Sequence, residues 1–144
     1  MATFIDFETT SECDIKKAGA DKYARHPSTD IICMSYSIDG GPVQTWRPGD
    51  VLPRVNDPMI AHNAAFDSAI WEHVMRPKYG AGVFNEWQCT SSLAAFYGLP
   101  RSLQRALEAL GVEGKDLEGS RVMLKYAKDP SLTIPDEDLA TIVQ

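Results

Sequence analysis

Residues 4 to 10 read F-I-D-F-E-T-T, an apolar run interrupted by two acids, Asp6 and Glu8. Side chains alternate along a strand, so Phe4, Asp6 and Glu8 share one face while Ile5 and Phe7 share the other. Same-face neighbours lie ~7 Å apart. Two like charges at that separation are costly to bury unless one is protonated or a cation neutralises both. A divalent ion with oxygen ligands neutralises such a pair well. An edge strand with its acidic face in water needs no cation, and for D-x-E taken alone that is the commoner arrangement.

The surrounding pattern says what kind of sheet would hold this strand. Residues 31 to 38, I-I-C-M-S-Y-S-I, form a second apolar run. D-G-G-P at 39 to 42 is a turn signal, and V-Q-T-W at 43 to 46 follows it, which predicts a hairpin. The connection over 11 to 30 is expected to hold a short helix around D-I-K-K and to end near Pro27. A short strand over 58 to 62, P-M-I-A-H, runs into helical sequence from Ala64 to Val74, closed by Pro77 and Gly80. From there on the sequence reads as helical. Residues 90 to 97 and 118 to 127 are candidate helices. Over 102 to 110, Leu103, Ala106, Leu107 and Leu110 fall at i, i+3, i+4 and i+7, with Ser102 as N-cap and Gly111 as stop. A last helix is expected from Pro135, with Asp136, Glu137 and Asp138 at its positive end and Leu139, Ile142 and Val143 as its apolar side. Strands first and mixed segments later imply an α/β sheet with helices packed on it.

The 144 residues suffice for one domain. No apolar run approaches the length of a membrane span, and no basic stretch followed by an apolar run marks a secretory signal. Three cysteines with no C-x-x-C pair suit a reducing, cytoplasmic setting and argue against a disulfide framework or a zinc ribbon. The net charge of −6 lacks the basic excess of a stand-alone nucleic-acid binder. A nucleic-acid ligand would have to be held by a chain end, with metal ions or a partner offsetting the charge.

The second constellation is A-H-N-A-A-F-D at 61 to 67. Asn63, Phe66 and Asp67 fall at i, i+3 and i+4, on one face of the helix that begins there. An N-cap Asn, a core Phe and a surface Asp would give the same pattern. His62 reads as structural, since no second His or Cys stands at ligand spacing.

A strand bearing D-x-E, followed about sixty residues later by N-x-x-F-D at a helix start, resembles the 3′–5′ exonucleases of the DEDD superfamily. It is most similar to the proofreading domain at the N-terminus of phage-type family A DNA polymerases. The likeness runs through "DFETTSECDIKKAGADKYARHPSTDIICMSYSIDGGPVQTW", "AHNAAFDSAIW", "CTSSLAAFYGLPRSLQRALEALG" and "KDLEGSRVML", nearly the whole chain. The resemblance implies a ribonuclease H-like mixed sheet flanked by helices, in a single exonuclease-like domain over 1 to 144. It implies Mg²⁺ or Mn²⁺ in a two-metal site that hydrolyses the last phosphodiester of a single-stranded DNA 3′ end. Carried over by motif, Asp6, Glu8 and Asp67 are the catalytic, metal-binding acids. Thr9 contacts the terminal nucleotide, and Asn63 and Phe66 border the path of the strand. It also implies a phage or prophage protein working in a bacterial cytoplasm, with no membrane partner.

The superfamily's third motif is Tyr-x-x-x-Asp or His-x-x-x-x-Asp. Four residues after Tyr23, Tyr36, Tyr79, Tyr97 and Tyr126 stand Pro27, Gly40, Val83, Arg101 and Pro130. His62 to Asp67 fits the second form by count, but Asp67 already serves the second motif. The expectation is a C-terminally truncated version of the fold that lacks one metal ligand. It would be completed by a second polypeptide, such as a polymerase fragment, or by another copy of the chain. The alternative is a catalytically inactive metal- or nucleic-acid-binding remnant. On either view the last helix would expose its apolar side or be covered by a partner.

Overall fold

The computed structural model describes residues 2–84, 86–112 and 137. Strand β1 (Thr3–Thr10) is followed by two short helices, α1 (Ile15–Ala18) and α2 (Ala20–Arg25). Asp14 starts α1, its carboxylate accepting from the Lys16 amide at 3.0 Å. Next come β2 (Asp30–Ile38) and β3 (Gln44–Trp46), joined through the D-G-G-P turn, and then β4 (Met59–Ala61). The helical segment after β4 comprises α3 (Ala64–Ile70), a wide five-residue turn (Trp71–Met75) and α4 (Arg76–Tyr79). Strand β5 (Trp87–Cys89) leads into α5 (Thr90–Phe96), and α6 (Leu103–Ala109) follows.

The five strands form one mixed sheet in the order β3-β2-β1-β4-β5. β1, β2 and β3 are antiparallel neighbours, whereas β4 runs parallel to β1 and β5 parallel to β4. This is a mixed α/β arrangement, with helices flanking the sheet, as the alternation of strand and helix patterns predicts.

Burial along β1 alternates with the strand period. Thr3, Ile5, Phe7 and Thr9 are buried, while Phe4 and Asp6 are exposed and Glu8 half-buried. The buried face packs on α2, α3 and the wide turn, with Met34, Met59, Ile70 and Met75 fully enclosed. The two core tryptophans satisfy their indole N–H groups on backbone carbonyls, Trp46 on Asp50 at 3.1 Å and Trp71 on Gly82 at 2.9 Å. Among the described residues no buried side-chain nitrogen or oxygen lacks a partner.

Three expectations need correction. The chain after Gly80 is not wholly helical, because Trp87–Cys89 adds a parallel strand in register with Met59–Ala61. Three residues are too few for alternation to show in sequence. The connection over 11 to 30 holds two helices, broken where Gly19 takes φ 85°. Pro77 does not end the helical segment. It sits in the first turn of α4, directly after the wide turn, whose looser hydrogen-bond ladder accommodates a residue that cannot donate. The expected helix over 118 to 127 lies outside the described residues. So does the one from Pro135, except Glu137, which is helical.

Candidate carboxylate site

Asp6 and Glu8 stand on the face of β1 opposite the core, opposite Ser35 and Cys33 of β2. The ladder between these strands slips at Glu8/Thr9. Glu8 faces Cys33 and Thr9 faces Ile31, so Ile32 is the extra residue of a bulge. On its other side β1 pairs with β4 only at Thr3 and Phe4. The edge is therefore open from Ile5 onward, where β4 turns off into α3.

Asp67 fills that opening. Its Oδ1 accepts from the Phe7 amide at 3.2 Å, so a side chain stands where a ladder partner would otherwise be. α3 can present Asp67 there because the chain reverses sharply at Asn63, which adopts the left-handed region at φ 65°. Asn pays less than most residues for that conformation.

Asp67 is almost completely buried, at 1% exposure. Burial pushes its carboxyl up to about 8, and the charges of Asp6 and, more weakly, Glu8 push the same way against hydrogen bonds from backbone amides. Cys33, buried on the Asp6–Glu8 face, carries the same signature. Burial and then the charges of Glu8 and Asp6 raise its thiol to about 12, opposed by Arg47. The region is thus a concentration of negative charge, with one acid of the three sequestered from water.

In donor chemistry the three carboxylates fit a hard divalent cation, which takes oxygen ligands. In spacing, no three His, Cys, Asp or Glu side chains converge as a formed metal centre among the described residues. A shallow cavity of about 190 Å³ lies beside Asp6, lined by Phe4, Ser35, Ser37 and Val43 among others. Phe4 is 44% exposed there and offers an aromatic surface.

The remaining predicted residues sit as follows. Thr9 turns its side chain to the buried face, where its Oγ1 shares a 2.8 Å hydrogen bond with the Tyr23 hydroxyl. Asn63 is exposed and makes no side-chain capping bond. Phe66 is partly buried, its ring 5.9 Å from that of Tyr23. His62 is structural as expected. Its Nε2 donates to the Arg101 carbonyl at 2.6 Å and its Nδ1 pairs with the Thr90 hydroxyl at 2.9 Å. Sequence reading missed Tyr23, whose only signal was an isolated tyrosine within the α2 segment.

No helix among the described residues is long and apolar enough to cross a membrane. No family model matches the sequence. Over 137 residues, 88% of this chain, it is 29% identical to a DNA polymerase of Bacillus phage SP02. The chain spans 20% of that polymerase's length. It is therefore a distant relative of a phage DNA polymerase.

Proposed function

We propose that this chain is a proofreading-type 3′–5′ exonuclease domain that acts on a single-stranded DNA 3′ end, with Asp6, Glu8 and Asp67 as its acidic residues. The observation that carries the reading is the seating of Asp67 on the Phe7 amide, within the electrostatic reach of Asp6 and Glu8. A buried acid held beside two like charges destabilises the fold and is retained at sites that use it. The mixed sheet is compatible with the ribonuclease H-like fold of the DEDD exonucleases, and the distant likeness to a phage DNA polymerase points the same way.

Asp6, Glu8 and Asp67 would hold Mg²⁺ or Mn²⁺. Such ions, when bound, neutralise the carboxylates and stabilise charge on the attacking and leaving oxygens at a scissile phosphate. The residues themselves prepare the place. The bulge lies beside Glu8, the Phe7 amide fixes Asp67, and burial favours the protonated form of Asp67 near neutral pH, so a bound cation would have to take the place of that proton. Phe4 beside Asp6 supplies a surface on which a base can stack. With a net charge of −6, the chain suits contact with a strand end rather than a long duplex.

A second reading is favoured by one sequence observation: no Tyr-x-x-x-Asp occurs in the 144 residues. On that reading these 144 residues bind metal or a strand end, and any cutting draws on a fourth acid from outside them. Mn²⁺ titration followed by electron paramagnetic resonance tests the part common to both readings. Binding by the wild type that weakens at least about tenfold in both Asp6→Ala and Asp67→Ala supports the carboxylate site. Equal binding by all three proteins refutes it.

A further inference from the structure

The strand that carries Asp6 and Glu8 is paired with β2 along its length but has a neighbouring strand on its other side only at its start. Its ladder to β2 slips at Glu8/Thr9, and its pairing with β4 stops at Phe4. The Asp67–Phe7 bond is one link between β1 and α3, and a second lies nearer the end of the strand. Tyr23 of α2 touches both elements. Its hydroxyl pairs with the Thr9 hydroxyl at 2.8 Å, one residue past Glu8. Its ring packs on Phe66 at 5.9 Å with the planes tilted by 46°, one residue before Asp67.

Tyr23 is itself anchored. Its backbone carbonyl accepts from the Thr29 hydroxyl at 2.6 Å, and that hydroxyl lies 2.6 Å from Ser11 Oγ. Ser11 Oγ in turn accepts from the Cys13 amide at 3.0 Å. The tyrosine thus joins the exit of β1, the entry of β2 and the first turns of α3. Tyr23 and Thr9 are each 6% exposed, so the two hydroxyls meet away from water, where leaving either one without a partner is costly. A tyrosine that merely filled space would need its ring alone, and phenylalanine would serve as well.

We propose that Tyr23 is a positioning residue: through its hydroxyl on Thr9 and its ring on Phe66, it sets the geometry of the Asp6–Glu8 strand against the Asp67 helix. The proposal rests on the exonuclease reading for its functional meaning, but the mechanical link is testable without it. Tyr23→Phe keeps the packing on Phe66 and removes the hydroxyl. Thr9→Val removes the other hydroxyl at nearly constant volume.

Two readouts follow in the wild type, the two single variants and the double variant. The first is hydrogen exchange at the Phe7 amide, which donates to Asp67, measured against the Met34 amide in the core. The second is Mn²⁺ affinity. Each single variant is expected to speed Phe7 exchange about fivefold with Met34 unchanged, the effect of losing one neutral hydrogen bond. Each is also expected to weaken Mn²⁺ binding several-fold. The double variant is expected to be no worse than the stronger single one, because the two hydroxyls form one interaction. Unchanged Phe7 exchange in both single variants overturns the proposal. So does equal acceleration at Phe7 and Met34, which signals only a general loss of stability. If the wild type binds no Mn²⁺, the metal reading fails, and Phe7 exchange alone decides the role of Tyr23.

Discussion

At the scale of single residues, Asp67 concentrates the cost of the site. Its carboxyl lies at about 8 in the fold, against an ordinary value of 3.8. Between those values the folded chain holds a proton that the unfolded chain has released. The stabilisation is complete below about pH 4 and is lost as pH rises through about 8. Asp67→Asn removes this dependence and leaves an oxygen for the Phe7 amide. Denaturant unfolding of the metal-free protein should therefore find the variant more stable than wild type at pH 8.5, by about 2–4 kcal/mol, and the two closer at pH 5. A wild-type stability that stays flat over that range would contradict the burial of an ionisable Asp67. Asn63 makes a second residue-scale case. It sits at φ 65° without a capping bond, a conformation that favours Asn over most side chains. Asn63→Ala should cost about 1 kcal/mol and Asn63→Gly much less, measured by urea unfolding. That Asp6 and Glu8 share a strand face and that Asp67 stands in the first turns of a helix were legible in sequence, because strand alternation and helix spacing are local rules, whereas only the family resemblance joined the three acids. The engagement of Thr9 with Tyr23 was not legible, because it joins residues 14 apart through a turn that no local pattern specifies.

At the scale of elements, the antiparallel part of the sheet was readable and the parallel part only partly so. Long apolar runs and a D-G-G-P turn announce β2 and β3. β5 is three residues long, and its evidence lies in its partner β4 rather than in its own sequence. The same applies to the bulge opposite Glu8, which appears only when β1 and β2 are laid side by side. The connection before β4 is held by a contact of this non-local kind. The Asn56 amide donates to Thr3 Oγ1 at 2.9 Å, and Thr3 is fully buried in β1. Thr3→Val keeps the strand's shape and removes the acceptor. Thermal and urea unfolding should show a loss of about 1–3 kcal/mol, the cost of a part-buried amide left without its partner. No measurable loss would mean that water replaces the hydroxyl freely and that the connection is looser than its geometry implies.

At the scale of the whole molecule, the core and the acids Asp6 and Glu8 lie on opposite faces of one sheet. The face with Ile5, Phe7 and Met34 builds the core with Met59, Ile70 and Met75, and Met34→Ala should cost about 2–5 kcal/mol in unfolding experiments. The face with Phe4, Asp6 and Glu8 carries the two acids whose charges add to burial in raising the Asp67 carboxyl. That division explains how F-I-D-F-E-T-T is both strand-like and acidic: Ile5 and Phe7 face the core, while Asp6 and Glu8 alternate with them on the other face. The relation to a phage DNA polymerase covers only a fifth of the relative, so the catalytic claim must be tested on this chain itself. The decisive measurement is release of nucleoside monophosphates from a single-stranded DNA oligonucleotide labelled at its 3′ end, with Mn²⁺ or with EDTA, comparing wild type with Asp6→Ala. Stepwise loss of the 3′ label is expected, dependent on the metal and at least about a hundredfold slower in Asp6→Ala. Retention of the label by wild-type protein at every metal concentration, or loss that Asp6→Ala leaves unchanged, would contradict it.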